Sequence, residues 1–152
     1  MYQSIVVAYD GTGPSDAALR RGAELARVCG AQLHLLGIVI SQGGLLLDPA
    51  VVPIELLQTE RHYLLEALAN SVRDLEQLGQ TALTAVRDGD AAREIIGYVH
   101  ENHCDLVVIG HGGGGILARW FEGSVGTRLL DQLPCSLLVA IDDPAAAVAA
   151  VG

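Results

Sequence analysis

Five short apolar runs recur along the chain, and a segment of helical periodicity separates each from the next. They are "SIVVAYD" (4–10), "AQLHLLGIVI" (31–40), "TALTAVR" (81–87), "DLVVIG" (105–110) and "CSLLVAI" (135–141). Their length and β-branched content fit buried strands. Strands joined through helices lie parallel with right-handed crossovers, so the alternation leaves one class of answer: an open α/β sheet covered by helices on both faces. Strands that are apolar almost throughout are what the centre of such a sheet requires.

The helical segments carry their own punctuation. Pro14 and Ser15 suit a helix start, apolar residues follow at Ala18, Leu19, Ala23, Leu25 and Ala26, and Gly30 is placed to stop it. A second helix is expected over Ile54–Leu78, with Leu57, Leu64, Leu65, Leu68, Val72 and Leu75 as its apolar stripe and Gly79 beyond it. A third covers "AAREIIGYVHENH" with Ile95, Ile96 and Val99 buried, and a fourth runs from Gly123 to Gln132, stopped by Pro134. The stretch "SQGGLLLDPAVVP" (41–53) reads as a loop despite its leucines. With no internal repeat and no linker, residues 1–142 read as one domain and 143–152 as a small-residue tail.

The formal charge of -9 argues against nonspecific binding to nucleic acid or an anionic membrane, both of which reward a basic surface. A small anionic ligand held by backbone amides is compatible with it. The amino-terminal residues lack the basic, apolar and small-residue regions of an export signal, and no apolar run is long enough to cross a bilayer. A cytoplasmic protein is therefore expected, with Cys29, Cys104 and Cys135 as thiols.

Ligands of open parallel sheets bind beyond the carboxyl ends of the strands, where the winding reverses. Three segments compete for that place: "YDGTGPS", "GIVIS" and "GHGGGGIL". With an assumed strand order 3-2-1-4-5, Asp10 and the glycine run face each other across one crevice. The run is not a P-loop, since Gly115 is followed by Ile116 and Leu117 and not by Lys-Ser/Thr. The informative spacing is longer: Gly110 and Gly113 are followed, after nine residues, by Gly123 and Ser124 at a helix start. Gly113 lets bare backbone approach a ligand, while Gly123, Ser124 and Val125 offer free N–H groups and a hydroxyl. Two such anion contacts suit a polyphosphate better than a single phosphate.

This G-x2-G-x9-G-S spacing resembles the signature of the nucleotide-binding branch of the universal stress protein family. "IVVAYDGTGPSDAALRRGAELARVCGAQLHLLGIV", "CDLVVIGHGG" and "GSVGTRLLDQLPCSLLVAI" are similar to that family's opening and closing segments. The resemblance implies a three-layer α/β/α sandwich of Rossmann-like type, the adenine nucleotide alpha hydrolase-like fold, with a five-stranded parallel sheet in order 3-2-1-4-5. It also implies ATP, or ADP or AMP, across the switch point. By position, Asp10 would accept a hydrogen bond from the adenine and Ile38 would offer backbone groups to it. Gly110 and Gly113 would approach the ribose and phosphates. Gly123, Ser124 and Val125 would hold the phosphate tail with Mg2+. A homodimer through the fifth strand, around Leu137–Ile141, is implied too, and an apolar edge strand invites such pairing.

Some residues depart from the pattern. Where the family often reads Gly-Ser-His/Arg-Gly, this chain reads Gly110-His111-Gly112-Gly113, the long polar side chain one place forward, and Glu122 stands directly before Gly123. His34, His62, His100 and His103 show no metal-ligand spacing with Cys or acids. No general base, nucleophile pair or metal-carboxylate cluster is visible, so a nucleotide-dependent regulatory or stress-response module is expected, with at most weak ATPase activity. The alternatives are a slow ATP-hydrolysing or adenylyl-transferring enzyme, and a dimeric interaction module with an empty nucleotide loop.

Overall fold

The computed structural model describes residues 1–39, 54–112 and 124–142. In chain order the elements are β1 (Ser4–Tyr9), α1 (Gly13–Cys29), β2 (Gln32–Val39), α2 (Ile54–Gln77), β3 (Ala82–Asp88), α3 (Ala91–Asn102), β4 (Leu106–His111), α4 (Ser124–Gln132) and β5 (Ser136–Ile141). The strands form one parallel sheet in the order β3-β2-β1-β4-β5. The fold expected from the alternation of strands and helices is the one observed.

The period-two alternation of each strand divides the core into two layers. Ile5, Val7 and Tyr9 of β1, with Leu33 and Leu35 of β2, point toward α1 and α2. Val6, Ala8, Leu36 and Ile38 point toward α3 and α4, where they meet Ile95, Val99 and Leu129. Each fully buried leucine or isoleucine contributes about 1.5–3 kcal/mol. The central strands β1, β2 and β4 are buried nearly throughout, whereas the edge strands β3 and β5 are half-buried or exposed at every position but Ala140.

Helix α1 approaches the sheet closely because its inner face is small: Ala17, Ala18, Gly22, Ala23 and Ala26 are buried. Gly30 ends it in the left-handed conformation, with φ 66° and its N–H donated to the Ala26 carbonyl. Helix α2 buries Leu64, Leu68 and Leu75, but Leu65 is exposed, against the expected stripe. Adjacent leucines sit about 100° apart on a helix, so Leu64 and Leu65 cannot share the inner face. Two turns beyond Leu64 the inner face carries Ser71, whose hydroxyl donates to the Tyr9 hydroxyl at 3.0 Å. On α3, Ala91, Ala92 and Tyr98 join Ile95 and Val99 in the core, while Ile96 is only half-buried at its margin.

The amino-terminal end of the sheet is closed by polar contacts. The Asp105 carboxylate accepts from the backbone N–H of Gln3 at 2.8 Å and of Ser4 at 3.1 Å, tying the start of β1 to the start of β4. Behind it, His34 is buried between Tyr98, with Nδ1 to the hydroxyl at 2.8 Å, and Ser4, with Nε2 to Oγ at 3.2 Å. Ser4 Oγ donates to Cys104 Sγ at 3.5 Å. That direction leaves Ser4 to accept from His34 Nε2–H, and Tyr98 to donate to His34 Nδ1. One neutral tautomer therefore satisfies the whole chain. Burial holds the His34 pKa below the usual imidazole value and pushes the Cys104 and Cys135 thiols up.

Candidate functional site

The carboxyl-terminal end of the sheet is built differently, and strand register shows how. The ladder between β1 and β2 runs from Ser4↔Gln32 to Tyr9↔Gly37, but β2 continues beside β3 through Ile38↔Arg87 and Val39↔Asp88. On the other side β1 and β4 pair only from Ile5↔Leu106 to Val7↔Val108, although β4 stays paired with β5 as far as His111↔Ile141. The two central strands thus part at the point where the winding reverses. Counting along both registers sets Asp10 level with Ile38 on one flank and His111 on the other. Neighbouring strands are about 4.8 Å apart, so these backbones line one narrow opening.

Asp10 leaves β1 and folds its side chain into the turn that follows. Its Oδ1 accepts from the Thr12 N–H at 2.9 Å and from Thr12 Oγ1 at 2.5 Å, an Asx-type turn that leads into α1. Its Oδ2 is shielded from solvent and meets no donor among the described residues. Buried acceptors are nearly always paired, so an orphan at a strand's carboxyl end is a place for a ligand's donor. Ile38 is 8% exposed and sends its side chain into the α3–α4 layer. Its side chain is committed to the core, and only its backbone is open, on the stretch where β2 has outrun β1.

The floor under Asp10 is stiff. The Tyr9 hydroxyl donates to Asp16 Oδ1 at 3.1 Å while accepting from Ser71, so the end of β1 is braced to both α1 and α2. Burial, partly offset by the Ser71 hydrogen bond and reinforced by Asp16, pushes the Tyr9 pKa up to about 12.

Gly110 has a structural reason that the sequence did not reveal. A Cβ built on it would lie 1.9 Å from the Pro14 carbonyl oxygen and 2.3 Å from its carbon. The first turn of α1 sits directly on β4 here, and only a residue without a side chain permits that. Beyond it, the Asp142 N–H donates to the His111 carbonyl at 3.1 Å, and the Asp142 carboxylate lies beside Gly13 at the start of α1. Sequence reasoning passed over Asp142 because it stands in an unremarkable Asp-Asp pair after the last strand.

Ser124 and Val125 open α4, as expected, which directs the helix N-terminus toward this end of the sheet. Gly113 and Gly123 lie outside the described residues, as do the 41–53 loop and the 143–152 tail. Helix α4 is tied to α3 by Arg128, which pairs with Asp90 at 3.0 Å; Asp90 also caps α3 by accepting from the Arg93 N–H at 2.9 Å. Arg61 of α2 grips the Asp88 carboxylate at the end of β3 with contacts of 2.7 and 2.8 Å. Beside it Tyr63 leans over Gly11 and remains 60% exposed. It closes the exposed run 58–63 just before buried Leu64, a position that gave no signal in the sequence. Among the described residues no group of three or more His, Cys, Asp or Glu side chains converges to hold a metal ion. No helix of the described residues is long and apolar enough to cross a membrane.

Comparison with known proteins places this arrangement among relatives. The sequence profile described as the universal stress protein family matches residues 1–140. A universal stress protein of Methanocaldococcus jannaschii is 29% identical over 142 residues, which span 91% of this chain and 82% of that one. Among solved structures, UspA from Lactobacillus plantarum superposes with a TM-score of 0.76 at 24% identity, covering 91% of this chain and 97% of its own. A universal stress protein from Archaeoglobus fulgidus in complex with dAMP has a TM-score of 0.64 at 21% identity, covering 91% of this chain and 98% of its own. One from Arabidopsis thaliana with AMP bound has 0.63 at 16%, covering 94% of each chain. Another member is solved with cAMP, with a TM-score of 0.67 at 18% identity over 93% of this chain and 99% of its own.

Proposed function

The chain belongs to the universal stress protein family, and from that premise we propose that it is a nucleotide-dependent regulatory module that binds an adenine nucleotide at the carboxyl end of β1. The observation that carries the reading is the buried Oδ2 of Asp10, which has no partner among the described residues. Because Oδ1 is already occupied by Thr12, the carboxylate has a single oxygen to offer. A single acceptor suits the one exocyclic amine of adenine. Guanine presents two donors side by side and would call on both oxygens, and hypoxanthine would set a carbonyl against the carboxylate. The open flank of β2 at Ile38 supplies backbone groups to the same base. That mononucleotides such as dAMP and AMP are held by proteins of the same fold supports the choice of base.

On this reading the ribose and phosphates pass along Gly110 and Gly113 to Gly123, Ser124 and Val125 at the start of α4. There free N–H groups and the helix dipole favour an anion. ATP is the ligand such a spread of contacts suits, with ADP and AMP as shorter occupants. Mg2+ would enter on the phosphate tail, because the described residues provide no metal-binding cluster of their own.

Asp10→Asn gives the decisive test. The amide keeps an oxygen for Thr12 and turns the orphan acceptor into a donor. Calorimetric titration is expected to show AMP and ATP binding to the natural protein and IMP binding at least about tenfold more weakly. The Asn variant should lose about tenfold or more for AMP and reverse the preference toward IMP, as charge-assisted hydrogen bonds of about 1.5–3 kcal/mol require. Unchanged AMP affinity in that variant would remove Asp10 from the site.

The module is proposed to act as a homodimer through β5. Val139 and Ile141 are 37% and 63% exposed on this edge strand, whereas Leu138 packs against the α1 layer. Lysine at both Val139 and Ile141 should therefore give monomer in sedimentation without disturbing the core. A persistent dimer would place the interface elsewhere.

A further inference from the structure

We propose that Tyr63 is the stacking wall of the base site and, with Asp10, sets its preference for a flat heteroaromatic ring; this rests on the nucleotide reading above. Helix α2 runs from the carboxyl end of the sheet back toward its amino end. Its Leu64 and Leu68 side chains pack on Gly37, the last β2 residue in register with β1. That contact fixes the height of the helix against the sheet. Tyr63 stands at the level of the strand ends, and the helix from Ile54 to Tyr63 rises about 13 Å past them at 1.5 Å per residue. The opening beside Asp10 consequently has a helical wall, and the aromatic ring sits at its foot.

The ring is placed by Gly11. A Cβ there would meet Tyr63 Cε1 at 3.2 Å and the hydroxyl oxygen at 3.8 Å, and Gly11 itself has φ 82°, a conformation that side chains resist. The glycine lets the tyrosine edge rest directly on the turn that follows β1. Ala67, one helical turn on, also borders this place. Held along one edge and 60% exposed, the ring stands one residue from the carboxylate that has an unused oxygen. A buried acceptor for a ring-edge donor and an aromatic surface for a ring face are the two things a planar base needs. Stacking accepts any base, so the acceptor selects and the tyrosine holds.

The test uses the full chain and AMP. Titration of Tyr63→Phe should stay within about twofold of the natural protein, whereas Tyr63→Leu and Tyr63→Ala should weaken AMP about tenfold. Leucine still covers Gly11, so it keeps the comparison sound if the alanine variant folds poorly. Stacking also has a spectroscopic sign: the adenine H2 and H8 proton resonances should move upfield on binding to the natural and Phe proteins, but not to the Leu variant. If the natural protein binds no AMP at millimolar concentration, the nucleotide reading falls and this inference falls with it. If AMP binds but the Leu variant matches the natural protein in affinity and in proton shifts, only the role of Tyr63 is overturned.

Discussion

The two ends of the sheet, made from the same five strands, meet their polar groups in opposite ways. At the amino end His34, Tyr98, Ser4 and Cys104 form one continuous hydrogen-bonded chain, and both Asp105 oxygens accept from the backbone of the neighbouring strand. At the carboxyl end β1 and β4 separate after Val7 and Val108, β2 outruns β1, and one oxygen of Asp10 is buried without a donor among the described residues. A buried polar group left unmade costs about 1–3 kcal/mol. On the proposed reading, a donor from the nucleotide would offset that cost at the carboxyl end.

Three changes would break or sharpen that contrast. The largest effect belongs to Gly110→Ala, which sets a methyl group against the Pro14 carbonyl. It should cost about 3 kcal/mol or more and lower Tm by roughly 10 °C in thermal unfolding. A variant of unchanged Tm that had lost nucleotide affinity would show that the glycine serves the ligand and not the packing. Next comes Asp10→Asn, whose effect should appear in affinity while Tm moves little, since the Thr12 contacts survive. A large fall in Tm would mean that the carboxyl end is as self-contained as the amino end.

The smallest effect concerns pH. Burial lowers the His34 pKa, so the folded state binds this proton less readily than the unfolded chain does, whose value is near 6.5. Stability is then complete above that value and declines as pH falls from it toward the folded value. Between pH 7.5 and 5.5 the natural protein should lose a few degrees more in Tm than His34→Gln does. Equal slopes would mean that the amino-end hydrogen-bonded chain tolerates the proton.

Much of the fold was legible because its signals are local and repeated. Strand and helix positions follow from apolar runs and from Pro14 and Gly30, and the boundaries are right to within a residue or two. What failed was phase, as with Leu65, where two adjacent leucines competed for one inner position, and the inner face two turns on carries Ser71 against Tyr9. At the carboxyl end the position of Asp10 after the first strand was legible, but the construction around it was not, and Gly113 and Gly123 of the glycine spacing lie outside the described residues. Tyr63 over Gly11, Asp142 beside Gly13 and the Arg128–Asp90 link join residues from distant parts of the chain. Such contacts arise only once the sheet order and the height of each helix are set, and no spacing along the chain encodes them.

The close seat of α1 on β4 bears on how related sequences are sorted. Any chain that lays the first turn of this helix against the fourth strand at such a distance must keep a bare backbone at position 110, whether or not it ever meets a ligand. A pattern search that scores this glycine as evidence for binding is in part scoring architecture. On the proposed reading, weight belongs instead on the acid that follows the first strand and on the residue that faces Gly11 from the second helix, whose free oxygen and exposed ring face the packing does not use.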